Sequence, residues 1–207
     1  MLYDKDIREP LCEYLEQFYY PHRIIEEQVM GRSRADMVLV TKNALYGIEI
    51  KSDADTYARL SRQIKDYDKY YDYNFIVVGT KHAHSVVEKV PEHWGIITVE
   101  VEDGKVDFYT LRLPLINPNV KWEYKLRILW RPEMVLIQEK TQMPAYKNKS
   151  KAFVIDKMIE KVDEDLLQFH LCDALMERDY NTIADIINDY RKANGRRKKR
   201  KVRRKLK

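Results

Sequence analysis

The sequence predicts an α/β (α+β) fold, in which a mixed β-sheet is flanked by helices and followed by a mainly helical C-terminal region. The order of the predicted elements is helix, three-strand meander, helix, strand, helix and strand. The meander implies antiparallel neighbours, whereas the later strand–helix–strand passages imply a parallel crossover. A length of 207 residues and a hydrophobic content of 44% suit one domain with an ordinary core and a small appendage.

The first predicted element is an amphipathic helix that begins near Asp4. Apolar residues recur at helical spacing on one face, namely Ile7, Leu11, Tyr14, Leu15 and Phe18. Asp4 can cap the N-terminus because a short carboxylate accepts hydrogen bonds from the free N–H groups of the first turn. Pro10 either kinks the helix or starts its main part, and both alternatives stay open at this stage.

Three strand-like segments follow the first helix. Residues 23–29 and 34–40 are rich in apolar and β-branched residues, and Gly31 falls in the turn between them. The Lys-Asn pair at 42–43 marks a second turn, directly before the apolar run of residues 44–51. We therefore predict two successive hairpins across these three segments.

The next part of the chain alternates between helix and strand. Residues 56–71 are predicted to be helical from a stripe at helical spacing, made of Tyr57, Leu60, Ile64, Tyr67 and Tyr71. Residues 74–79 then predict a short buried strand, residues 83–90 a helical stretch, and residues 94–100 a further strand. This alternation is typical of helices packed against a partly parallel sheet.

Beyond Gly104 the predicted elements are helices rich in charge. Their ranges are 122–130, 133–140, 151–167, 169–178 and 182–194. We therefore divide the chain into a core of residues 1–104, a helical region of residues 105–195 and a tail of residues 196–207.

The tail carries the excess positive charge of the chain. It holds ten Lys or Arg and no acid, so the net charge of +5 leaves −5 on the first 195 residues. Such a run is predicted to be disordered and to attract a polyanion. A solubilising, targeting or nuclear-localisation tail is the alternative. Its first basic residues are Arg196, Arg197, Lys198, Lys199 and Arg200.

The cysteines and the absence of targeting signals indicate the compartment. Cys12 and Cys172 lie far apart and follow no metal-ligand spacing, which predicts free thiols in a reducing compartment. No signal peptide or long apolar span occurs in the sequence, so we expect an intracellular, cytoplasmic protein with no membrane partner, nucleoid-associated in a bacterium. No glycine-rich phosphate loop occurs, which argues against an NTPase.

The most informative feature is the end of the third predicted strand, Glu49-Ile50-Lys51. Because side chains alternate faces in a strand, Glu49 and Lys51 point the same way while Ile50 points into the core. If residues 41–44 form a four-residue hairpin loop, Asp36 falls opposite Glu49, with roughly 5 Å between their β-carbons. Asp36, Glu49 and Lys51 would then converge.

Two carboxylates at such a short distance repel each other unless a cation lies between them. We expect Asp36 and Glu49 to hold Mg²⁺ or Mn²⁺, which prefer oxygen ligands, with the backbone carbonyl of Ile50 as a further ligand. Lys51 would orient or deprotonate an attacking water, or stabilise a phosphate in its transition state. The alternatives are a strand-start role for Asp36 and a simple salt bridge between Lys51 and Glu49.

These residues resemble the motif of the PD-(D/E)XK nuclease superfamily. Asp36 corresponds to the acidic residue that the family has at a strand start, and Glu49-x-Lys51 corresponds to its Glu-x-Lys element. Gln63-x-x-x-Tyr67 matches a Gln-x-x-x-Tyr element that many members carry on the next helix. The i and i+4 spacing puts both residues on one helical face, where Gln63 would position a water or a phosphate.

The resemblance covers about residues 4–101 and implies a restriction-endonuclease-like fold. Residues 49–60 and 90–96 also look like a small uncharacterised group of bacterial and phage nuclease-like proteins. The upstream glutamate of the family would be Glu27, with Glu26 as the competitor, because a slip of one residue in a strand swaps faces.

The resemblance implies a Mg²⁺-dependent deoxyribonuclease, an endonuclease acting in DNA repair, defence or mobile-element processing. Its catalytic residues would be Asp36, Glu49, Lys51, Gln63 and Glu27. The rival hypothesis from another class is a non-catalytic nucleic-acid-binding or assembly protein on a nuclease-like scaffold.

The nucleic-acid contacts are expected from residues that flank this site. Arg34, Arg59 and Arg62, together with Arg32, can bind phosphates. The alternative for each of them is a solvated surface side chain. Tyr67 either contacts nucleic acid or packs in the core, and both alternatives stay open. DNA is the expected partner, although nothing in the residues distinguishes it from RNA. A homodimer also stays open, because cleavage of both strands needs two sites.

Overall fold

A computed structural model of the chain describes residues 3–102 and 104–180. The chain divides by its contacts into two compact units, residues 1–176 and 177–207, and residues 177–180 of the second unit are described. All elements given below belong to the first unit.

Two predicted segments lie outside the described residues: the helix at 182–194 and the basic tail at 196–207. Within the described part of the chain, no helix has both the length and the apolar character needed to cross a membrane.

A six-stranded mixed sheet forms the centre of the first unit, and its strands lie in sequence order. The strands are β1 (Arg23–Met30), β2 (Ser33–Val40), β3 (Leu45–Lys51), β4 (Tyr73–Gly79), β5 (Gly95–Glu102) and β6 (Lys105–Arg112). The strands β1, β2 and β3 are antiparallel neighbours, β3, β4 and β5 run parallel, and β6 returns antiparallel to β5. The predicted α+β fold with a mixed sheet and a parallel crossover is confirmed.

The β2–β3 hairpin has the register expected from a four-residue loop. Val40 pairs with Leu45, and the pairing continues without a shift to the residues next to Asp36 and Glu49. Asp36 therefore lies across from Glu49. Its carboxylate also accepts a hydrogen bond from the N–H of Ile50 at 2.8 Å, which ties the two strands together at this end.

The strand β6 corrects the prediction that a helical region begins at residue 105. Val106 and Phe108 pack into the apolar layer on one face of the sheet, whereas Lys105 and Tyr109 are exposed. This period of two is the pattern of an edge strand with one buried face. Gly104, with φ of 77°, supplies the left-handed backbone of the preceding turn.

Helices cover both faces of the sheet. They are α1 (Asp4–Glu16), α2 (Leu60–Tyr70), α3 (Thr80–Ala83), α4 (Trp122–Lys125), α5 (Arg131–Lys140), α6 (Lys151–Lys161) and α7 (Glu164–Met176). On one face α1 buries Ile7, Leu11 and Leu15 against the strands. On the other face α2, α5, α6 and α7 enclose a larger apolar cluster.

The start of α1 differs from the prediction. Tyr3 occupies the N-cap position, so Asp4 is the first helical residue and not the cap. The carboxylate of Asp4 pairs instead with the Arg8 guanidinium at 2.8 Å, one turn further along. Pro10 lies inside the helix, so it does not start its main part.

Two other helical predictions need new bounds. Residues 83–90 do not form one helix, because α3 is followed by a separate 3₁₀ turn at Val86–Glu88. The break between α6 and α7 lies at Asp163, earlier than predicted. The Asp163 side chain accepts hydrogen bonds from the N–H groups of Asp165 and Leu166, at 3.0 and 3.3 Å, and so starts α7 as an N-cap does.

Gly47, in the middle of β3, allows α2 to lie close to the sheet. A Cβ at this position would lie 2.2 Å from Cδ2 of Tyr71 and 2.6 Å from Cδ1 of Tyr67. Both distances are far shorter than the roughly 3.5–4.0 Å at which carbon atoms pack. The missing side chain therefore lets the Tyr67 ring lie directly against β3, beside Glu49.

Candidate active site

Three carboxylates lie in a row across the first three strands. Glu27 on β1 lies between two paired positions and faces Asp36 on β2, and Asp36 lies across from Glu49 on β3. Like charges on neighbouring strands destabilise a sheet unless cations offset them. Three cationic side chains contact the row: Lys51 at Glu49, Arg34 at Glu27, and Arg8 at both Glu27 and Asp36.

Asp36 is the central carboxylate of the row. Burial, followed by the negative charge of Glu49, raises the pKa of Asp36 to about 7. The hydrogen bond from the N–H of Ile50 and the charge of Lys51 act in the opposite direction. The raised pKa shows that the positive charge around Asp36 does not compensate for its desolvation and for Glu49.

Glu49 is buried, and both of its oxygens accept hydrogen bonds. Its Oε1 accepts from the Lys51 ammonium and from Nε2 of Gln63, the latter at 2.5 Å. Its Oε2 accepts from the Tyr67 hydroxyl at 2.8 Å. With exposed fractions of 1% for Glu49 and 4% for Lys51, this pair is a buried ion pair held in one geometry.

Tyr67 positions Glu49 from beneath the strand. Its hydroxyl lies 2.8 Å from the Glu49 carboxylate and 3.0 Å from the Ile48 carbonyl, and accepts a hydrogen bond from the N–H of Asp36 at 3.3 Å. Burial, followed by the charge of Glu49, raises the pKa of Tyr67 well above its usual value. Because its side chain is fully buried, Tyr67 is not available to a nucleic acid, so of the two alternatives left open by the sequence the structure shows core packing.

Gln63 lies one turn before Tyr67 on α2, and the structure brings both residues to Glu49 as the i and i+4 spacing predicted. The amide nitrogen of Gln63 donates to Glu49. Its carbonyl oxygen is buried and has no hydrogen-bond partner among the residues described. Such an oxygen is an acceptor suited to a water molecule at the site.

The contacts favour Glu27 over Glu26 as the upstream carboxylate of the row. Both carboxylates pair with Arg8, Glu27 at 3.0 Å and Glu26 at 3.6 Å, but only Glu27 also pairs with Arg34 and lines the cleft above the row. The side chain of Glu27 is 39% exposed, against 62% for Glu26. The backbone of Glu27 has φ of 55°, which is uncommon for a residue with a side chain. Such strain persists where the surroundings hold it, and here the two arginines hold the side chain.

Arg8 is the residue of this site that sequence analysis missed. Its guanidinium donates to the backbone carbonyl of Asp36 at 2.9 Å and to the Glu27 carboxylate at 3.0 Å. The spacing of Asp4 and Arg8 on α1 could have indicated a pair along the helix. It could not have indicated the contact with β1 and β2, since that depends on how α1 crosses the sheet.

A cleft of about 400 Å³ opens over the carboxylate row. Five arginines line it, together with the carboxylates and Lys51: Arg8, Arg32, Arg34, Arg59 and Arg62. Of the predicted phosphate contacts, Arg34, Arg59 and Arg62 therefore lie at the cleft, and their side chains are exposed. The predicted contacts from the tail, Arg196, Arg197, Lys198, Lys199 and Arg200, lie outside the described residues.

A second cleft, of about 390 Å³, lies at the opposite end of β3. Tyr46, Trp122 and the buried Lys125 line it. The Lys125 ammonium pairs with the Asp72 carboxylate, so its charge is offset within the protein. The residues of this second cleft therefore have a structural role, in the packing of α4 against the sheet, and we do not assign a reaction to it.

Asp36 and Glu49 are the residues of the row that could hold one divalent cation. The charge of Glu49 contributes to the raised pKa of Asp36, which is the condition that a cation between them would relieve. No group of three or more His, Cys, Asp or Glu side chains in the described residues is arranged to hold a metal. The remaining ligands would therefore be waters and a backbone carbonyl, as suits Mg²⁺.

The fold and the site define a mixed-sheet α+β protein with a buried carboxylate–lysine pair beneath an arginine-lined cleft. The chain belongs to the bacteriophage P4 protein cII family, whose sequence profile matches residues 2–202. No curated protein matches the chain.

Among solved structures, the chain is similar to SfsA of Pyrococcus furiosus, determined in complex with Ca²⁺. The two share 17% sequence identity with a TM-score of 0.33, over 56% of this chain. The match spans 63% of the SfsA chain.

Proposed function

We propose that the protein is a Mg²⁺-dependent DNA nuclease of the PD-(D/E)XK type, which hydrolyses phosphodiester bonds. The observation that carries the proposal is the convergence of Asp36, Glu49 and Lys51 at one end of the β2–β3 hairpin, beneath a cleft lined by arginines. Carboxylates for a hard cation, a buried ammonium and surrounding guanidinium groups are the components that phosphodiester hydrolysis requires.

Asp36 and Glu49 would hold the Mg²⁺ ion, and the carbonyl of Ile50 would add a backbone ligand. When bound, the ion supplies Lewis-acid polarisation of the scissile phosphate and lowers the pKa of a water ligand. Mn²⁺ would serve in the same place, because it prefers the same oxygen ligands.

The other residues of the site position the reactants. Lys51 lies where its ammonium, released in part from Glu49, would orient the attacking water or donate hydrogen bonds to charge developing on the phosphate. The unpartnered carbonyl oxygen of Gln63 would accept a hydrogen bond from that water. The arginines of the cleft would bind neighbouring phosphates and so fix the position of the scissile bond.

The substrate we propose is DNA, cleaved internally. The family bears the name of a bacteriophage protein, which supports mobile-element processing over repair or defence as the setting. RNA is the alternative substrate, and a homodimer would allow cleavage of both strands of a duplex.

Cleavage of plasmid and oligonucleotide DNA by the full chain tests the proposal. The wild type should cut with Mg²⁺ and not with EDTA, while Lys51→Ala and Asp36→Ala should lose cleavage. Lys105→Ala is the control, because Lys105 is an exposed cation on β6 and is absent from the residues that line the cleft. Wild-type protein that shows no metal-dependent cleavage above these variants on any DNA form would sink the enzyme hypothesis.

A second candidate function is non-catalytic binding of nucleic acid on the same scaffold. It is favoured by the full engagement of Glu49, whose two oxygens are already bonded to Lys51, Gln63 and Tyr67. Deleting residues 196–207 separates the two functions. A binding protein should lose most of its DNA affinity, whereas a nuclease should keep cleaving at low salt, where the remaining arginines bind more strongly.

A further inference from the structure

Arg8 occupies the space between two carboxylates of the row. Its guanidinium lies 3.0 Å from the Glu27 carboxylate and 3.6 Å from the Asp36 carboxylate, and donates to the Asp36 carbonyl at 2.9 Å. It also pairs at 3.6 Å with the more exposed Glu26, which lies outside the row. Its Nε also donates to Asp4 at 2.8 Å. The guanidinium therefore sits where a cation shared by Glu27 and Asp36 would sit.

The Arg8 side chain is fixed and charged in this place. The side chain is only 17% exposed, and this burial by itself would lower its pKa. The hydrogen bond and charge of Asp4, together with the charges of Asp36 and Glu27, outweigh burial and raise the pKa of Arg8 above its usual value. A guanidinium stays protonated at all accessible pH values. Its position is thus a permanent feature of the site.

The gap between Asp36 and Glu49 is different. Among the ion pairs of the described residues, Asp36 pairs with Arg8 and Glu49 pairs with Lys51, and no side-chain cation bridges Asp36 to Glu49. The row therefore has one space filled by a protein cation and one space without a bridging cation.

We infer that Arg8 is a built-in cation that replaces a second metal ion, so that the centre binds one divalent ion, between Asp36 and Glu49. This inference rests on the proposed metal-dependent function of the same carboxylates. A divalent ion between Glu27 and Asp36 would lie within contact distance of the guanidinium, and two cations that close repel each other strongly. Removing Arg8 opens that second position.

Titration of the full chain with Mn²⁺ alone, followed by electron paramagnetic resonance of the free ion, tests the inference. Wild type should bind one Mn²⁺ per chain. Arg8→Met should bind two, because Glu27 and Asp36 are left without their shared cation. Arg8→Lys is the matched control that keeps the charge, and it should bind one. The double variant Arg8→Met/Glu27→Gln should also return to one, because the second position loses a ligand.

Three results overturn the inference and differ in their meaning. Two Mn²⁺ ions on the wild type, or one on Arg8→Met, contradict the role of Arg8 while leaving the proposed nuclease intact. If Arg8→Met does not fold, the number of Mn²⁺ ions bound by the wild type still tests the inference, because two ions on the wild type are incompatible with it. If the wild type binds no Mn²⁺, the proposed metal-dependent function is itself contradicted, and the inference about Arg8 is contradicted with it.

Discussion

Asp36 and Glu49 carry like charges on neighbouring strands, with Glu49 buried and Asp36 partly exposed. Protonation of Asp36 relieves their repulsion in the metal-free protein. Burial, followed by the charge of Glu49, raises the pKa of Asp36 to about 7, which favours its protonated form relative to an ordinary aspartate. Its charge is favoured as soon as a cation arrives, because an opposite charge within about 4–6 Å lowers the pKa of a carboxyl group. The residues that are unfavourable for folding are thus the ones suited to holding a cation.

Asp36→Asn is expected to stabilise the metal-free protein at pH 8. In the wild type, Asp36 ionises at about pH 4 in the unfolded chain and at about pH 7 in the folded one. The free energy of unfolding therefore falls as pH rises from about 4 to about 7, by on the order of 2–4 kcal/mol. The asparagine cannot ionise, while its side-chain oxygen can still accept from the N–H of Ile50.

Thermal unfolding in EDTA measures this effect across the pH range. The advantage of Asp36→Asn over the wild type should grow between about pH 4 and pH 7 and level off above it. Asp66→Asn is a comparison carboxylate on α2, away from the row. An Asp36→Asn protein that is less stable than the wild type at pH 8 would contradict a raised pKa for Asp36.

Tyr67→Phe is expected to destabilise the protein by about 1–3 kcal/mol, because it leaves an oxygen of the buried Glu49 without its donor. Tyr71→Phe is a closely matched control. Tyr71 is also fully buried, four residues further on, but its hydroxyl has no hydrogen-bond partner among the described residues. Its removal should change the free energy of unfolding by less than about 0.5 kcal/mol.

Urea unfolding of both variants measures the difference. Tyr67→Phe should lower the free energy of unfolding clearly more than Tyr71→Phe does. It should also weaken Mn²⁺ binding, because Glu49 loses its fixed position. Equal costs for the two variants would show that the Tyr67 hydroxyl does not position Glu49.

At the scale of the element, the β2–β3 hairpin was predictable because its information is local. A short polar turn at 42–43 between two apolar runs sets the register, and the register alone places Asp36 across from Glu49. The position of Gln63 and Tyr67 on one face of α2 was predictable for the same reason, because it follows from the helical period.

Other elements depended on information that a sequence does not display. In β6 only Phe108 is buried, so the segment has too few buried apolar positions to display a clear period of two, and its charged and polar residues resembled the helices that follow. The Arg8 contacts join α1 to β1 and β2, which are 19 and 28 residues away along the chain. Such contacts follow from how a helix crosses a sheet, and no local pattern encodes that angle.

Gly47→Ala is expected to destabilise the protein by about 1–3 kcal/mol and to reduce cleavage as well. The added Cβ would overlap the rings of Tyr67 and Tyr71, so α2 must move away from β3. Gly104→Asn is the control, since Gly104 has open space around it and asparagine tolerates its positive φ. Thermal unfolding and plasmid cleavage of both variants measure these effects. Equal stability and equal cleavage for Gly47→Ala and Gly104→Asn would contradict the close packing of α2 against β3.

On the scale of the whole molecule, the cleft combines both charges needed for a phosphodiester substrate. Its arginines would attract the polyanion of the proposed function, while its carboxylates would repel the same polyanion unless a divalent ion offset them. Binding of DNA and of metal should therefore support each other. The six-stranded sheet contributes by fixing the carboxylate row on three neighbouring strands, which are more rigid than loops.

The most direct test of this account is a crystal of the full chain soaked in Mn²⁺ and measured at the manganese absorption edge. We predict one anomalous peak, lying between the carboxylates of Asp36 and Glu49, and no peak between Glu27 and Asp36, where Arg8 lies. Crystals of Asp36→Asn under the same conditions should lack the peak. Ordered carboxylates with no anomalous density between Asp36 and Glu49 would contradict the central claim that this row is a metal-dependent phosphodiesterase centre.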